Sequence, residues 1–588
     1  MGIPDPVHVA WSPDSTKLLT HRIDQRAVPL MHLTQSCPPD GSHRPLHHEY
    51  HFAMPGDPLP LLEMLVIELA SGRVIPVDRP AQPMAQLRTA IESEQVFWAA
   101  DSSKVSYIEY SRGCKDLRLI HVDATTGSAR VAVQQSTDTF LLPGPWLVPC
   151  PVKVLYQTDE VLWWSQRDGW GHLYLYDLGT CDCKNQVTSG PWLVRDVVHV
   201  DEQSREVILL GAGREPGANP YFTLLYRATL DGRELTPLIT DRCDHHVRVV
   251  GRAPWLVDSY GGFGQPVTHT LRDKAGTALL ELGHADAGPL TETGFSWPEE
   301  IRVTAADGVT DLYGILYKPS DFDPTKSYPV LDSIYPGPQL IRQMRLTIGP
   351  FSTTPYLLDQ LGDANAVAEL GFIVLVLDGR GTPLQSKAFL DYSYGNQGDP
   401  GCLADQVAAL AQVSATRPWM DLSRVGIYGH SGGGNASAVA ILTYPDVYRA
   451  AVAAAGDYDL RGYYAVWGET YHGLPGEGDG DGGSADGAAN YVSTATTRLA
   501  ANLEGKLLIV HGEMDDNVQP GLVLKFVRAL IDADKDFELL YVPNGAHGYL
   551  SAQPYVIRRE WDFLVRHVMG AEPPVGYKID PKAAGTGG

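Results

Sequence analysis

The sequence predicts a two-part molecule, an all-β region followed by an α/β domain built on a mostly parallel sheet. Residues 1–290 consist of short apolar runs closed by Asp, Ser or Gly turn residues, a pattern typical of antiparallel strands. From about residue 297, apolar runs that end in Gly or Asp alternate with helical stretches such as 403–415 and 435–443. This alternation is typical of parallel strands covered by helices.

A weak repeat in the first region favours a β-propeller over one or two β-sandwiches. An aromatic residue followed by a small residue, an Asp and a strand recurs at Trp11, Trp98 and Trp164. At roughly 40–45 residues per blade, about 285 residues supply about six blades. We therefore expect a propeller over residues 1–290, an α/β domain over 291–575 and a disordered tail over 576–588.

The composition excludes two classes of function. The 588 residues carry a formal net charge of −24, whereas nucleic-acid binding needs a basic surface. No run of 18 or more apolar residues occurs, so the sequence predicts no membrane span. The first part of the chain contains Asp5, Asp14 and Asp24 and no apolar leader, so we expect a cytoplasmic protein.

The cysteines and histidines predict neither a metal site nor a cofactor. The seven cysteines are scattered, and the pair Cys181 and Cys183 is too small for zinc, which needs three or four protein ligands. Four histidines between residues 43 and 51 fall on a turn and a strand, which spreads them over two faces. The Gly- and Asp-rich stretch 476–490 lacks the spaced ligands of a calcium loop and predicts a surface loop.

The stretch Gly429-His430-Ser431-Gly432-Gly433 matches the nucleophile elbow G-x-S-x-G of an α/β-hydrolase. It follows an apolar strand-like run and precedes a helical stretch, which is the context that the motif requires. Ser431 is therefore the expected nucleophile, and the backbone N–H of Gly432 is the expected first donor to an oxyanion.

A serine hydroxyl needs a base and an acid, which follow the serine in chain order in this fold. The stretch "HGEMDDNV" offers Asp515 and Asp516, and "NGAHGY" offers His547, each at the end of a strand-like run. His511 is less suitable because it precedes the acidic residues. The residues alone do not choose between the two aspartates.

The stretches "GIYGHSGGG", "YAVWGETYHGLP", "VHGEMDDNV" and "RDGWGHLYLYD" resemble the dipeptidyl peptidase IV branch of the prolyl oligopeptidase family. The resemblance covers nearly the whole chain. It implies an α/β-hydrolase domain after a β-propeller, a catalytic triad of Ser431, Asp515 and His547, and a homodimer. It also implies that Tyr335 is the second oxyanion donor. The expected substrate-binding residues are Tyr463, Trp467, Asn517 and Val518. The two aromatic residues, spaced i and i+4, also fit a helix face packed in the core.

The sequence departs from that family at two places. Gly432 follows the nucleophile where several members carry tyrosine, and His430 replaces their tryptophan, so the pocket floor differs. The ten residues before Trp11 contain no Glu, so the paired glutamates that grip the substrate's amino group are missing. The pair Glu299 and Glu300 lies at the start of the α/β domain and does not replace them. We therefore expect an incomplete propeller whose N-terminal blades are absent.

Three functions fit these observations. The first is a serine peptidase that cleaves short peptides after Pro- or Ala-like P1 residues, as a dipeptidyl peptidase does. The second is an esterase or acyl-peptide hydrolase that uses the same triad without selecting for a free amino terminus. The third, of another class, is an inactive, propeller-bearing interaction protein or a truncated fragment.

Overall fold

Antiparallel sheets fill the first half of the chain. In this computed structural model, which describes residues 8–141, 151–250, 255–263, 265–342, 364–476 and 485–579, five such sheets follow one another, each made of strands that pair with a sequence neighbour or near neighbour. The first sheet consists of β1 (Ala10–Trp11), β2 (Lys17–Asp24), β5 (Leu61–Glu68), β6 (Arg73–Pro76) and β7 (Gln82–Pro83), and the second of β8 (Val96–Trp98), β9 (Lys104–Tyr110), β10 (Asp116–Asp123) and β11 (Ala129–Ser136). The third consists of β12 (Lys153–Leu155), β13 (Glu160–Ser165), β14 (His172–Asp177) and β15 (Cys183–Gln186), and the fourth of β16 (Leu193–Asp201), β17 (Glu206–Ala212), β18 (Thr223–Thr229) and β19 (Leu235–Pro237). The fifth consists of β20 (Asp244–Val249), β21 (Leu256–Gly262), β22 (Gln265–Arg272) and β23 (Ala278–His284). Small sheets of this kind in succession are the blades of a propeller.

The number of blades differs from the prediction. Within the described ranges there are five blade sheets, and the expected six is wrong because the first sheet carries an insertion. Between β2 and β5 the chain leaves the sheet and forms a separate antiparallel ribbon, β3 (Leu30–Gln35) and β4 (Leu46–His51). We call this two-stranded element, residues 30–51, the ribbon.

The second half holds one eight-stranded sheet in the order β24-β25-β27-β26-β28-β29-β30-β31. The first two strands of this order pair antiparallel, and the six from β27 onward run parallel. The strands are β24 (Glu299–Thr304), β25 (Asp311–Tyr317), β26 (Tyr328–Ser333), β27 (Ile373–Asp378), β28 (Met420–His430), β29 (Tyr448–Ala454), β30 (Lys506–Gly512) and β31 (Glu538–Val542). Every residue of β26 and β27 is buried, as expected for central strands covered on both faces.

Helices cover this sheet and account for the helical stretches of the sequence. They are α1 (Gly288–Glu292), α2 (Ala364–Ala368), α3 (Lys387–Asp391), α4 (Leu403–Ala415), α5 (Gly432–Thr443), α6 (Ala465–His472), α7 (Ala489–Thr494), α8 (Pro520–Asp532) and α9 (Pro554–Leu564). Short 3₁₀ turns lie at Arg112–Cys114, Leu460–Gly462, Thr496–Asn502 and His547–Ala552, and a π turn at Val565–Met569. None of the helices in the described ranges has both the length and the apolar character needed to cross a bilayer.

The parallel strands bring the predicted site residues to one edge of the sheet. Ser431 directly follows β28, Asp515 lies three residues after β30, and His547 lies five residues after β31. The carboxyl ends of parallel strands are where ligands bind in open α/β sheets. Of the predicted surface loop 476–490, residues 477–484 lie outside the described part of the chain, as do residues 580–588 of the predicted tail.

Candidate active site

The backbone turns sharply at Ser431, between β28 and α5. Ser431 has φ 59° and ψ −124°, a conformation that L-residues rarely adopt, that costs energy and that persists only where the surroundings impose it. Its N–H donates to the carbonyl of Ala454 at 2.8 Å, and its own carbonyl accepts from the N–H of Asn435 at 3.0 Å. These two bonds hold the serine at the tip of the elbow, at the N-terminus of α5.

Glycines around the serine let neighbouring backbone approach closely. A Cβ added at Gly429 would lie 2.5 Å from the carbonyl oxygen of Ile334, and one at Gly433 would lie 2.3 Å from the same oxygen. A Cβ at Gly434 would lie 2.1 Å from the carbonyl oxygen of Ala454. Only glycine fits at these positions without displacing β26 or β29, which explains the glycine spacing of the motif.

Ser431, His547 and Asp515 form a hydrogen-bonded chain. The Nε2 atom of His547 lies 3.0 Å from the Oγ of Ser431, and the Nδ1 atom lies 2.7 Å from Oδ2 of Asp515. Asp515 is fully buried, and its other oxygen, Oδ1, accepts the N–H groups of Asn517 and Val518 at 3.0 and 2.8 Å. A carboxylate held in this way fixes the imidazole with its Nδ1–H toward the acid and Nε2 toward the hydroxyl.

The neighbouring aspartate takes a different position. The backbone carbonyl of Asp516 accepts hydrogen bonds from Tyr50 of the ribbon at 3.3 Å and from Gln519 at 3.1 Å. Of the two candidates that the sequence leaves open, Asp515 is the one that contacts His547. His511 is also buried, but its Nε2 lies 3.1 Å from the carbonyl of Val518 and 3.8 Å from Asp515.

The two predicted oxyanion donors lie next to each other. Gly432 is the first residue of α5, where backbone N–H groups are free to bind negative charge. Tyr335 follows β26 and is half-buried, and a Cβ added at Gly432 would lie 4.0 Å from the hydroxyl-bearing Cζ of its ring.

The four predicted substrate-binding residues form one cluster. The rings of Tyr463 and Trp467 meet edge to face with centroids 5.6 Å apart, and Val518 packs in the same apolar cluster. The hydroxyl of Tyr463 donates to the side-chain oxygen of Asn517 at 2.9 Å, and burial raises the pKa of Tyr463 well above its usual value. Both rings are only 8% exposed, so they serve the packing of the domain as well as any pocket wall.

Two buried groups beside the triad were not assigned a role from the sequence. The ring of His430 lies 4.8 Å from that of His547, and burial together with the neighbouring His547 lowers the pKa of His430 to about 3. Asp457 follows β29 and is 6% exposed; burial raises its pKa to about 6, and interaction with His547 opposes this rise. The position of Asp457 after a strand end was a usable signal, because that edge carries the site.

Over the described ranges, no three His, Cys, Asp or Glu side chains are grouped to hold a metal ion. His47 and His48 of the ribbon are exposed side by side on β4 and bond to Thr34 and Gln35 respectively.

Comparisons with known proteins support the architecture. Residues 360–571 match the prolyl oligopeptidase family, and residues 5–267 match the dipeptidyl peptidase IV N-terminal region. The chain is 26% identical over 587 residues to a protein of Emericella nidulans named probable dipeptidyl-aminopeptidase B, covering 95% of this chain and 61% of that one. It is 28% identical over 387 residues to human dipeptidyl peptidase 8, covering 62% of this chain and 40% of that one.

Solved structures share the fold. The crystal structure of Porphyromonas gingivalis dipeptidyl peptidase 4 aligns with a TM-score of 0.76 at 23% identity, over 95% of this chain and 74% of that one. A Bacteroides ovatus protein described as a dipeptidyl aminopeptidase IV aligns with a TM-score of 0.80 at 23% identity, over 95% and 77%. With a propeller-type N-terminal region and a hydrolase domain each matched, the chain belongs to the prolyl oligopeptidase family of serine peptidases, in the dipeptidyl peptidase IV branch.

Proposed function

We propose that this protein is a serine peptidase that cleaves short peptides after Pro- or Ala-like P1 residues through an acyl-enzyme on Ser431. The observation that carries the proposal is the continuous hydrogen-bonded chain from Ser431 Oγ through His547 to the buried Asp515. The names of its relatives, dipeptidyl-aminopeptidase B and dipeptidyl peptidase 8, support a peptide as substrate. The chain spans only 61% and 40% of those two proteins, so its substrate is argued from the site.

The proposed reaction begins with proton transfer from Ser431 to Nε2 of His547 as the Oγ attacks the substrate carbonyl carbon. The imidazolium that forms is stabilised by the carboxylate of Asp515, 2.7 Å away. The N–H of Gly432 and the hydroxyl of Tyr335 bind the oxyanion, and each such donor is worth about 2.7–4 kcal/mol in the transition state. His547 then protonates the leaving amine, and a water molecule hydrolyses the acyl-enzyme after giving its proton to the same nitrogen.

Specificity is assigned to the aromatic cluster beside the triad. In this proposal Tyr463, Trp467 and Val518, which pack in one apolar cluster, form the wall against which a compact P1 ring or methyl group binds. Because the oxygen of Asn517 accepts from Tyr463, its amide nitrogen is left to donate to a carbonyl of the substrate backbone.

A second candidate function is favoured by one observation. Gly432 carries no side chain next to Tyr335, and a Cβ there would still be 3.6 Å from the carbonyl oxygen of Pro336. Glycine therefore leaves the floor of the site larger by a methyl group than a residue with a Cβ would. A larger floor favours acyl groups other than a dipeptide, as in an esterase or an acyl-peptide hydrolase that does not require a free amino terminus.

A substrate panel separates these functions. We would compare release of a chromogenic amine from Gly-Pro and Ala-Pro amides, from their N-acetylated forms and from a short-chain ester. Cleavage of the free-amine substrates alone supports the dipeptidyl peptidase activity, whereas equal cleavage of blocked amides, or of the ester only, supports the second function. The matched control is Ser431→Ala, which removes the nucleophile and little else. Absence of both turnover and labelling by a fluorophosphonate in the wild-type protein would rule out both functions.

Two further properties stay proposals. A homodimer is proposed from the family, and light scattering of the eluting protein would measure its mass directly. Location in the cytoplasm is the other proposal, and fractionation of the source cells tests it.

A further inference from the structure

The ribbon of the N-terminal domain contacts both loops that carry the base and the acid. We call residues 513–519 the acid loop and residues 543–547 the histidine loop. The side chain of Gln35 donates to Oδ1 of Asn544 at 2.8 Å, and the Nδ2 of Asn544 donates to the carbonyl of Cys37 at 2.8 Å. Asn544 therefore joins the histidine loop to the end of β3 through both the oxygen and the nitrogen of its side-chain amide.

One carboxylate links the ribbon to the acid loop and to the histidine loop. Glu513 is 6% exposed; its Oε1 accepts the N–H of Ser36 at 3.1 Å, and its Oε2 accepts the N–H of Asn544 at 3.1 Å. Two backbone hydrogen bonds also connect the acid loop to the chain around the histidine loop. They run from the N–H of Glu513 to the carbonyl of Val542 at 2.9 Å and from the N–H of Met514 to the carbonyl of Gly545 at 2.8 Å. Hydrogen bonds to an ionised carboxylate are about twice as strong as neutral ones.

A second contact anchors the other strand of the ribbon. Tyr50 of β4 is 7% exposed and bonds through its hydroxyl to the carbonyl of Asp516 and to the side chain of Gln519. Met514 of the acid loop packs into the small apolar cluster that Tyr50 forms with Leu33 and Phe52. The ribbon thus covers the acid loop from residue 513 to residue 519.

These contacts lie close in sequence to the triad. Glu513 is two residues before Asp515, and Asn544 is three residues before His547. Asn544 also has φ 59°, a left-handed backbone that its side-chain bonds to the ribbon help to hold. A misplacement of about 1 Å in a catalytic group costs about 10²-fold in rate, so small movements of either loop matter.

We propose that Glu513 and Asn544 are positioning residues, which use the ribbon to set the geometry between Asp515 and His547. Acylation of Ser431 then depends on an element of the N-terminal domain that does not touch the substrate. This inference rests on the proposed serine hydrolase chemistry and adds to it a coupling between the two domains.

The main test replaces Asn544 by glycine. Asn544→Gly keeps the left-handed backbone accessible but removes both amide bonds to the ribbon. Asp534→Gly is the matched control, because Asp534 has φ 54° in an exposed turn between α8 and β31, away from the ribbon. Glu513→Gln is the second variant, since its amide retains one acceptor for the two N–H groups.

The measurements are kcat, KM and the rate of Ser431 labelling by a fluorophosphonate, with a thermal melt of each variant. We expect Asn544→Gly and Glu513→Gln to lower kcat and the labelling rate by about 10- to 100-fold, with KM within about twofold. Asp534→Gly should match the wild type. Wild-type kcat and labelling in both variants, or a loss that the control shares, would overturn the proposal.

A double-mutant cycle that starts from a ribbon residue tests the proposal even if Glu513→Gln does not fold. Gln35→Ala removes one donor from a ribbon position and should lower kcat on its own, but by less than Asn544→Gly does. The double variant should be no slower than Asn544→Gly, because both changes break the same link. Additive losses would overturn the proposal. If the wild-type protein itself is not labelled, the proposed function fails; if it is labelled and the variants equal it, only this inference fails.

Discussion

Individual buried side chains set the electrostatics around His547. His430 and His511 are held neutral by burial, which lowers the pKa of both, so they add no positive charge beside the base. Asp457 has the opposite character, because it becomes negative above about pH 6, the value to which burial raises its pKa. Asp457 therefore interacts electrostatically with His547 from the side of β29.

We predict that Asp457→Asn extends activity to lower pH. An ionised carboxylate near His547 favours the imidazolium, which cannot accept the serine proton, so its removal favours the neutral base. The acidic limb of the kcat/KM profile should move down by about half a pH unit, with the plateau within about threefold of wild type. Asp534→Asn, a change of the same charge on an exposed turn, should leave the profile unchanged. A limb that stays in place or moves up would contradict the prediction.

Among the elements, the elbow and the start of α5 leave almost no room for added atoms. The three glycines at the start of α5 are poor helix formers, yet the helix begins at Gly432, three residues before the predicted start at 435. Close packing against β26 and β29 overrides the propensity here.

Gly433→Ala should therefore damage both stability and catalysis. Its Cβ would lie 2.3 Å from the carbonyl oxygen of Ile334, so either α5 or β26 has to move. We expect a loss of about 1–3 kcal/mol in the free energy of unfolding and about 10²-fold in kcat. The matched control is Gly521→Ala in α8, where nothing lies within 4 Å of the added Cβ. Denaturant titration and kcat measure the two effects, and equal behaviour of the two variants would refute the argument.

The secondary-structure elements also show how much of the fold can be predicted from the sequence. The helix over 403–415 and the alternation of parallel strands with helices were predictable because hydrophobic periodicity records burial. The blade count was wrong because it divided the length of the region by a length per blade, and the ribbon uses residues that belong to no blade. Which sheet a strand joins is decided by contacts distant in sequence. For the same reason the residues alone did not distinguish Asp515 from Asp516 as the acid of the triad. They also gave no indication of the contacts of Glu513, whose partners lie in the ribbon and the histidine loop.

At the scale of the whole molecule, an ion pair with a buried carboxylate joins the two domains beside the proposed specificity cluster. Glu469 of α6 is 1% exposed and bonds to the guanidinium of Arg112, with Nε 2.6 Å from Oε2, and to the N–H of Gly56 at 2.8 Å. Arg112 and Gly56 belong to the N-terminal domain, whereas α6 also carries Trp467. The N-terminal domain therefore fixes the helix that lines the proposed pocket.

Removal of one partner of this pair should be costly. Arg112→Met leaves the carboxylate of Glu469 buried without its cation, and loss of one partner of a buried pair costs about 3–5 kcal/mol. We expect a lower melting temperature together with a raised KM, because α6 shifts with Glu469. Combining it with Glu469→Gln removes the unpaired charge and should recover part of the stability. If the double variant melts no higher than Arg112→Met, the unpaired charge of Glu469 is not the cause of the lost stability.

The backbone conformation of Ser431 sets the stability of the folded protein against its activity. Its φ of 59° and ψ of −124° suit glycine, and such a conformation costs a side-chain-bearing residue on the order of 1–3 kcal/mol. Ser431→Gly and Ser431→Ala both lack the hydroxyl and should both be inactive, yet the glycine variant should melt at the higher temperature. Equal melting points would show that the elbow is relaxed. Selection for stability alone favours glycine at this position, and the proposed role as nucleophile is what favours serine there.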